Sequence, residues 1–154
     1  MEITDILKAS SVVTSLKASS KKHALEELAS HAADATGIGK REIFDVLLER
    51  ERLGTTGVGS GIAIPHGKLA DLEKLFGCFA RLEAPVDFDA IDGQPVDLIF
   101  LLLAPESAGA DHLKALARIS RVLRNAASCE KLRDASSAET IYTLLTRDAQ
   151  KNAA

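Results

Sequence analysis

Val96-Asp-Leu-Ile-Phe-Leu-Leu-Leu-Ala104 is the stretch that decides the fold. From Leu98 to Leu103 every residue is apolar, and Pro95 bounds the run on its N-terminal side. A strand with one face in water alternates polar and apolar residues with period two. An unbroken apolar run instead predicts a central strand covered on both faces, as in layered α/β domains. The run is also far below the ~20 apolar residues needed to span a bilayer. Insertion into a membrane is not expected.

Working outward, Leu75 to Leu82 reads as a second core strand. Between it and the decisive run, Pro85 to Pro95 forms a turn-rich connection carrying Asp87, Asp89 and Asp92. Ile62 to Ile64 is a three-residue apolar strand stopped by Pro65, and Ser11 to Leu16 is an edge strand. Leu25, Leu28, Ala29, Ala32 and Ala35 recur at helical spacing from Ser20 to Thr36, where Gly37 and Gly39 stop the helix. A second helix, from Lys40 to Leu53, places Ile43, Val46, Leu47 and Leu53 on its apolar side and ends at Gly54.

Downstream of the run, Asp111 is expected to cap a helix reaching Asn125. Leu113, Leu116, Ala117, Ser120 and Leu123 would line its inner face. Ser128 opens a shorter helix, and Ser136-Ser-Ala-Glu139 has the capping-box pattern ahead of Ile141, Leu144 and Leu145. The expected fold class is therefore α/β: a single layered α/β/α domain over residues 1–154, with its core at about 5–147. Not every strand pair has a helical crossover between them, so the central sheet flanked by helices should be mixed.

Composition excludes several functions. The chain has 154 residues, 46% of them hydrophobic and 27% charged, with net charge −3. A nucleic-acid binder shows a basic surplus and aromatics for stacking; this chain has no Trp and one Tyr. Nucleic acid is not an expected partner. Met1 to Thr14 lacks the basic start and apolar stretch of a secretory signal. Cys78 and Cys129 match no metal or redox spacing and read as buried structural thiols. A cytoplasmic localisation is expected.

The chemistry lies in Gly57-Val-Gly-Ser-Gly-Ile-Ala-Ile-Pro-His-Gly-Lys68. A strand delivers Pro65 and His66 to its C-terminal end, where ligands bind in open α/β sheets. Gly67 leaves room beside the histidine for a bulky reactant or a partner surface. A neutral imidazole nitrogen is a nucleophile available near pH 7 and can capture a phosphoryl group. The second ring nitrogen must then hold its proton against an acceptor. The incoming charge calls for nearby donors, such as an arginine fork or another imidazole. Nucleotide motifs fail: five residues separate Gly61 from Gly67 where a P-loop has four, and Lys68 is followed by Leu69. A dinucleotide fingerprint would need glycine at Ile62.

The segment Leu53 to Leu69, with its Ile-Ala-Ile-Pro-His-Gly core, resembles the active-site signature of bacterial phosphotransferase-system enzyme IIA proteins of the fructose/mannitol type. The nitrogen-regulatory branch is the nearest. Phe88 to Leu98 and Asp111-His-Leu113 look like family segments in the same order. The resemblance implies that His66 takes a phosphoryl group from a small upstream histidine phosphocarrier protein, on the ring nitrogen farther from the backbone. It places the family's arginine on Arg50 and its second histidine on His112, and it implies transfer with no metal, nucleotide or other cofactor. Many nitrogen-regulatory relatives have Asn where this chain has Ser60, and Ser at Thr55.

The function implied is a phosphocarrier that signals through phosphorylation-dependent protein binding. Its downstream targets would be potassium transport proteins or sensor kinases. The alternatives are a sugar-transport component passing phosphate to a permease, and a binding module that no longer transfers it. With no transport domain or membrane segment between Met1 and Ala154, regulation is expected ahead of transport. Thr56, Gly67 and Lys68 are further binding candidates, although Thr56 fits a turn residue equally well and Lys68 a plain surface lysine. Arg52, His23 and His31 read as surface residues. Asp87, Asp89, Asp92 and Asp97 read as turn aspartates, since their order does not match a calcium loop.

Overall fold

The computed structural model describes the backbone of residues 1–153 and the side chains of residues 1–147. A short 3-10 turn, Ile3–Asp5, leads into strand β1 (Leu7–Leu16) and helices α1 (Lys21–Thr36) and α2 (Lys40–Arg52). Three short strands follow, β2 (Gly57–Gly59), β3 (Ile62–Ala63) and β4 (His66–Leu69). Then come two long ones, β5 (Phe76–Val86) and β6 (Val96–Pro105). Helices α3 (Ala110–Leu123), α4 (Ala126–Asp134) and α5 (Ala138–Ala153) close the chain.

The sheet runs β1-β5-β6-β3-β2, with β4 pairing β6 beyond the end of β3. It is mixed: β5 is antiparallel to β6, whereas β3 and β4 are parallel to it. As expected, β6 is central and buried from Leu98 to Ala104. Ile99, Leu101 and Leu103 pack with α1 and α2 on one face. Leu98, Phe100 and Leu102 pack with α3, α4 and α5 on the other. A period-two backbone thus feeds two helical layers from one apolar strand.

Several local expectations change. The first strand begins at Leu7 rather than Ser11, and it pairs β5 in parallel at the sheet's edge. The glycine-rich segment after α2 contains β2, which pairs antiparallel with β3. Its turn places Ser60 at φ +57° and Gly61 at φ +82°. Two successive left-handed residues fit the right-handed twist of a tight hairpin. Strand pairing also resumes after Pro65, because proline lacks only the donor; its carbonyl still accepts from Leu102 N at 3.0 Å.

The helix ends differ too. Gly109, not Asp111, is the N-cap of α3, and Asp111 lies within its first turn. The buried stripe of α3 is Ala115, Ile119, Val122 and Leu123, while Leu113 is 68% exposed. At α5 the hydroxyl of Ser137 accepts from Thr140 N at 3.1 Å, so the cap sits one residue later than the Ser136/Glu139 pattern suggested. Asn125 caps α4 by accepting from Ser128 N at 3.1 Å.

Candidate functional site

Helix α2, strand β4 and the first turn of α3 meet at a shallow cleft of about 340 Å³, lined by Arg50, Leu53, His66, Lys68 and His112 among others. Arg50, in the last turn of α2, donates from Nε to His66 Nε2 at 3.3 Å, and from Nη1 to the Gly54 carbonyl at 2.9 Å. The His66 and His112 rings lie 5.5 Å apart between centroids, tilted by 59°. Three residues separated widely in the sequence therefore converge on one cleft.

The ring of His66 is held in a defined state. Its Nδ1 lies 2.9 Å from the Ile64 carbonyl, an acceptor only, so Nδ1 carries the proton. Nε2 then presents a lone pair, which is why the Arg50 guanidinium can donate to it. Burial is the main cause that lowers the His66 pKa from 6.5. The Ile64 carbonyl opposes this, the Arg50 charge adds to it, and Glu51 opposes it more weakly. The ring stays neutral, with the exposed-side nitrogen unprotonated, across the neutral pH range.

His112 is likewise lowered, first by burial and then by the proximity of His66 and Lys68. Its Nε2 is buried and has no hydrogen-bond partner among the described residues. An unsatisfied buried polar atom costs roughly 1–3 kcal/mol, so an acceptor arriving in the cleft between the two rings would relieve it.

The remaining candidates divide. Lys68 is exposed on the lip of the cleft. Gly67 lines the cleft, and its lack of a side chain also shapes the packing behind it. A Cβ at this position would overlap Cγ1 of Val46 on α2, so the absence of a side chain lets α2 pack tightly on β4. Thr56 does not face the cleft. It is buried, and both its hydroxyl and its backbone N–H donate to the carboxylate of Glu51.

Glu51 is the residue that sequence reasoning passed over. It is a buried carboxylate 3.0 Å from Lys21 Nζ, and Lys21 also lies over the Phe88 ring. Its place in Arg50-Glu51, at the end of a helix and before a glycine-rich loop, was the available signal. Glu51 holds the loop against α2 while its neighbour Arg50 reaches into the cleft. The hairpin is secured elsewhere. Asp92 accepts from Ser60 N at 2.9 Å, and Arg133 donates to the Ser60 carbonyl at 2.9 Å while gripping both oxygens of Asp97.

Arg52 pairs with Glu49 on the surface, and His23 pairs with Glu27. Cys78 and Cys129 are buried and in no disulfide, and burial pushes the Cys78 thiol up to about 12. A thiol so weakly acidic is no nucleophile. Among the described residues, no three His, Cys, Asp or Glu side chains converge so as to hold a metal ion. No helix among them is long and apolar enough to cross a membrane.

Comparison with known proteins gives the family. Residues 5–148 match the family described as phosphoenolpyruvate-dependent sugar phosphotransferase system, EIIA 2. A nitrogen regulatory protein of Bradyrhizobium diazoefficiens is 60% identical over 145 residues, covering 94% of this chain and 95% of that one. A fructose-specific EIIA component of Haloferax volcanii is 40% identical, covering 94% of this chain and 97% of its own. The crystal structure of nitrogen regulatory protein IIA-Ntr from Neisseria meningitidis superposes with a TM-score of 0.89 at 40% identity, covering 94% of this chain and 99% of that one. The chain belongs to the EIIA 2 family of the phosphotransferase system and stands among its nitrogen-regulatory members, as a phosphocarrier with a regulatory role.

Proposed function

We propose that His66 Nε2 accepts a phosphoryl group from the phosphohistidine of a small upstream carrier protein, and that the chain then signals through binding that depends on its phosphorylation state. The observation that carries this reading is the division of labour on one ring. Nδ1 is anchored on the Ile64 carbonyl, and Nε2 lies under the Arg50 guanidinium in an open cleft.

In the transfer, the Nε2 lone pair forms a bond to phosphorus as the phosphorus–nitrogen bond to the donor imidazole breaks. The donor nitrogen keeps that electron pair. The proton stays on Nδ1, hydrogen-bonded to the Ile64 carbonyl, whose dipole stabilises the positive charge the ring acquires. Arg50, its lone-pair acceptor consumed, turns its fork to the phosphoryl oxygens. His112 supplies a second donor from its unpartnered Nε2. Lys68, on the lip, attracts the acidic reacting group as it approaches. No step needs a metal or nucleotide.

The partners that fit are the upstream carrier and, downstream, regulatory targets such as potassium transport proteins or sensor kinases. The compartment is the cytoplasm, and the chain acts as one domain. The higher identity to a nitrogen-regulatory relative than to the fructose-specific one supports signalling over onward transfer to a permease. Intact mass after incubation with the upstream relay proteins and phosphoenolpyruvate tests the site. Wild type should gain a single acid-labile, alkali-stable phosphoryl group and His66→Ala none. Equal labelling of the two would refute the assignment.

A further inference from the structure

The geometry points to a second binding site, on the far side of the hairpin from His66, for a small amphipathic carboxylate. A cavity of about 570 Å³ lies between the β2–β3 hairpin and helices α3 and α4. That volume falls within the ~300–1,000 Å³ typical of small-molecule sites. It shares no lining residue with the His66 cleft.

Its floor is apolar, built from Ile62, Ile64, Leu123 and Cys129. One wall is Ala117, Ser120 and Arg121 on α3, with its C-cap Arg124, at i, i+3, i+4 and i+7. This helix face turns away from the core stripe Ala115, Ile119 and Val122. It continues the line of Leu113 and Leu116, the apolar residues that sequence periodicity assigned to the interior. The protein thus keeps a half-apolar helix face beside a cavity instead of burying it.

Charge selects the occupant. Among the described residues, Arg121, Arg124 and Arg133 line the cavity with one acid, Glu130. Arg133 is committed to Asp97 and Ser60, where it holds the hairpin wall. Arg124 is exposed and makes no ion pair among the described residues. One uncommitted guanidinium fork above an apolar floor matches a singly charged carboxylate on a ring or short acyl chain.

The site is mechanically joined to the first. Ile64 puts its side chain on the cavity floor, accepts a hydrogen bond from His66 Nδ1 on its carbonyl, and donates its N–H to the Thr56 carbonyl at 3.0 Å. A ligand pressing on Ile64 and the hairpin therefore acts on the group that sets the His66 tautomer. The coupling, though not the site, rests on the role given to His66 above.

Amide NMR of the full unphosphorylated chain, titrated with octanoate and separately with 1-octanol, tests the site. Octanoate should give saturable shifts at residues 58–64 and 117–133, in wild type and equally in His66→Ala. Octanol should bind about tenfold more weakly, the worth of one charge-assisted hydrogen bond. Arg124→Glu should weaken octanoate by about the same factor, and Ala117→Phe, filling the cavity from its exposed wall, should abolish the shifts. Equal affinity for octanol, shifts confined to other regions, or octanoate binding unchanged in both variants would overturn the site. Saturating octanoate should also change the rate of phosphoryl uptake by wild type. Binding with an unaltered rate would overturn the coupling through Ile64.

Discussion

Gly67→Ala tests what sets the distance between Arg50 and His66. Gly67 follows His66 in β4, and a methyl on its Cα would overlap Cγ1 of Val46. Val46 lies one turn before Arg50 on α2. Gly67 is not among the residues with positive φ, so alanine fits the backbone and the effect is steric. Val46 is β-branched and has little rotamer freedom in a helix, so the helix itself must retreat. Carbon–carbon contact is comfortable at ~3.5–4.0 Å, which requires α2 to back away by on the order of 1 Å. Overpacking of this kind costs ~1–3 kcal/mol. Urea unfolding should therefore show a loss of about 2 kcal/mol with an unchanged m value.

The same retreat carries Arg50 away from Nε2. A displacement of that size costs up to about 10²-fold in rate when it misplaces a catalytic group. Rapid-quench measurement of phosphoryl uptake from the upstream carrier should show a fall of that order. Val46→Ala removes the colliding atom, so the double variant should recover most of the rate. Its stability should exceed the sum of the two single effects by about 1 kcal/mol or more. If the glycine instead serves only to admit the partner protein, the double variant will stay as slow as Gly67→Ala, and the packing explanation is refuted.

Other perturbations address other parts of the site. Glu51→Gln should lower stability by about 2 kcal/mol in urea, because charge-assisted bonds to Thr56 and Lys21 are lost together; a change within error would show that the loop needs no such clamp. Ser60→Asn should raise stability by about 0.5 kcal/mol, since asparagine tolerates the left-handed backbone better, and a lower thermal midpoint would contradict this. Both imidazoles of the cleft have pKa values below the ordinary 6.5. The unfolded chain then binds more protons, so this contribution to stability is complete above pH 6.5 and declines as pH falls toward the folded-state values. Phosphoryl uptake should hold steady down through pH 6.5, and Arg50→Gln should move the His66 midpoint upward, as read by ring NMR; a downward move would reverse the assigned electrostatics.

Much of the architecture follows from patterns local to the chain. The unbroken apolar run of β6 demands cover on both faces, and the glycine and helical-spacing signals bound α1 and α2 to within a residue. The errors share one cause. On α3 the expected stripe Leu113, Leu116, Ala117, Ser120 and Leu123 competes with Ala115, Ile119 and Val122; the structure buries the second stripe together with Leu123, a choice periodicity cannot make. The glycine segment becomes a strand only because distant groups complete its bonding: Ile91 N donates to the Gly57 carbonyl and Asp92 accepts from Ser60 N.

The site shows the same division. By itself the sequence determined that a histidine follows a short apolar strand between a proline and a glycine, in a chain suited to a layered α/β fold. The likeness of that segment to a known signature singled out Arg50 and His112. Only the tertiary structure decided which nitrogen of His66 is free, that Arg50 donates to it, that Thr56 turns inward to Glu51, and that Gly67 lies tight against Val46. Hydrogen bonds are short and directional, so they depend on how separate segments close in space. Hydrophobic periodicity records only which side of each segment avoids water.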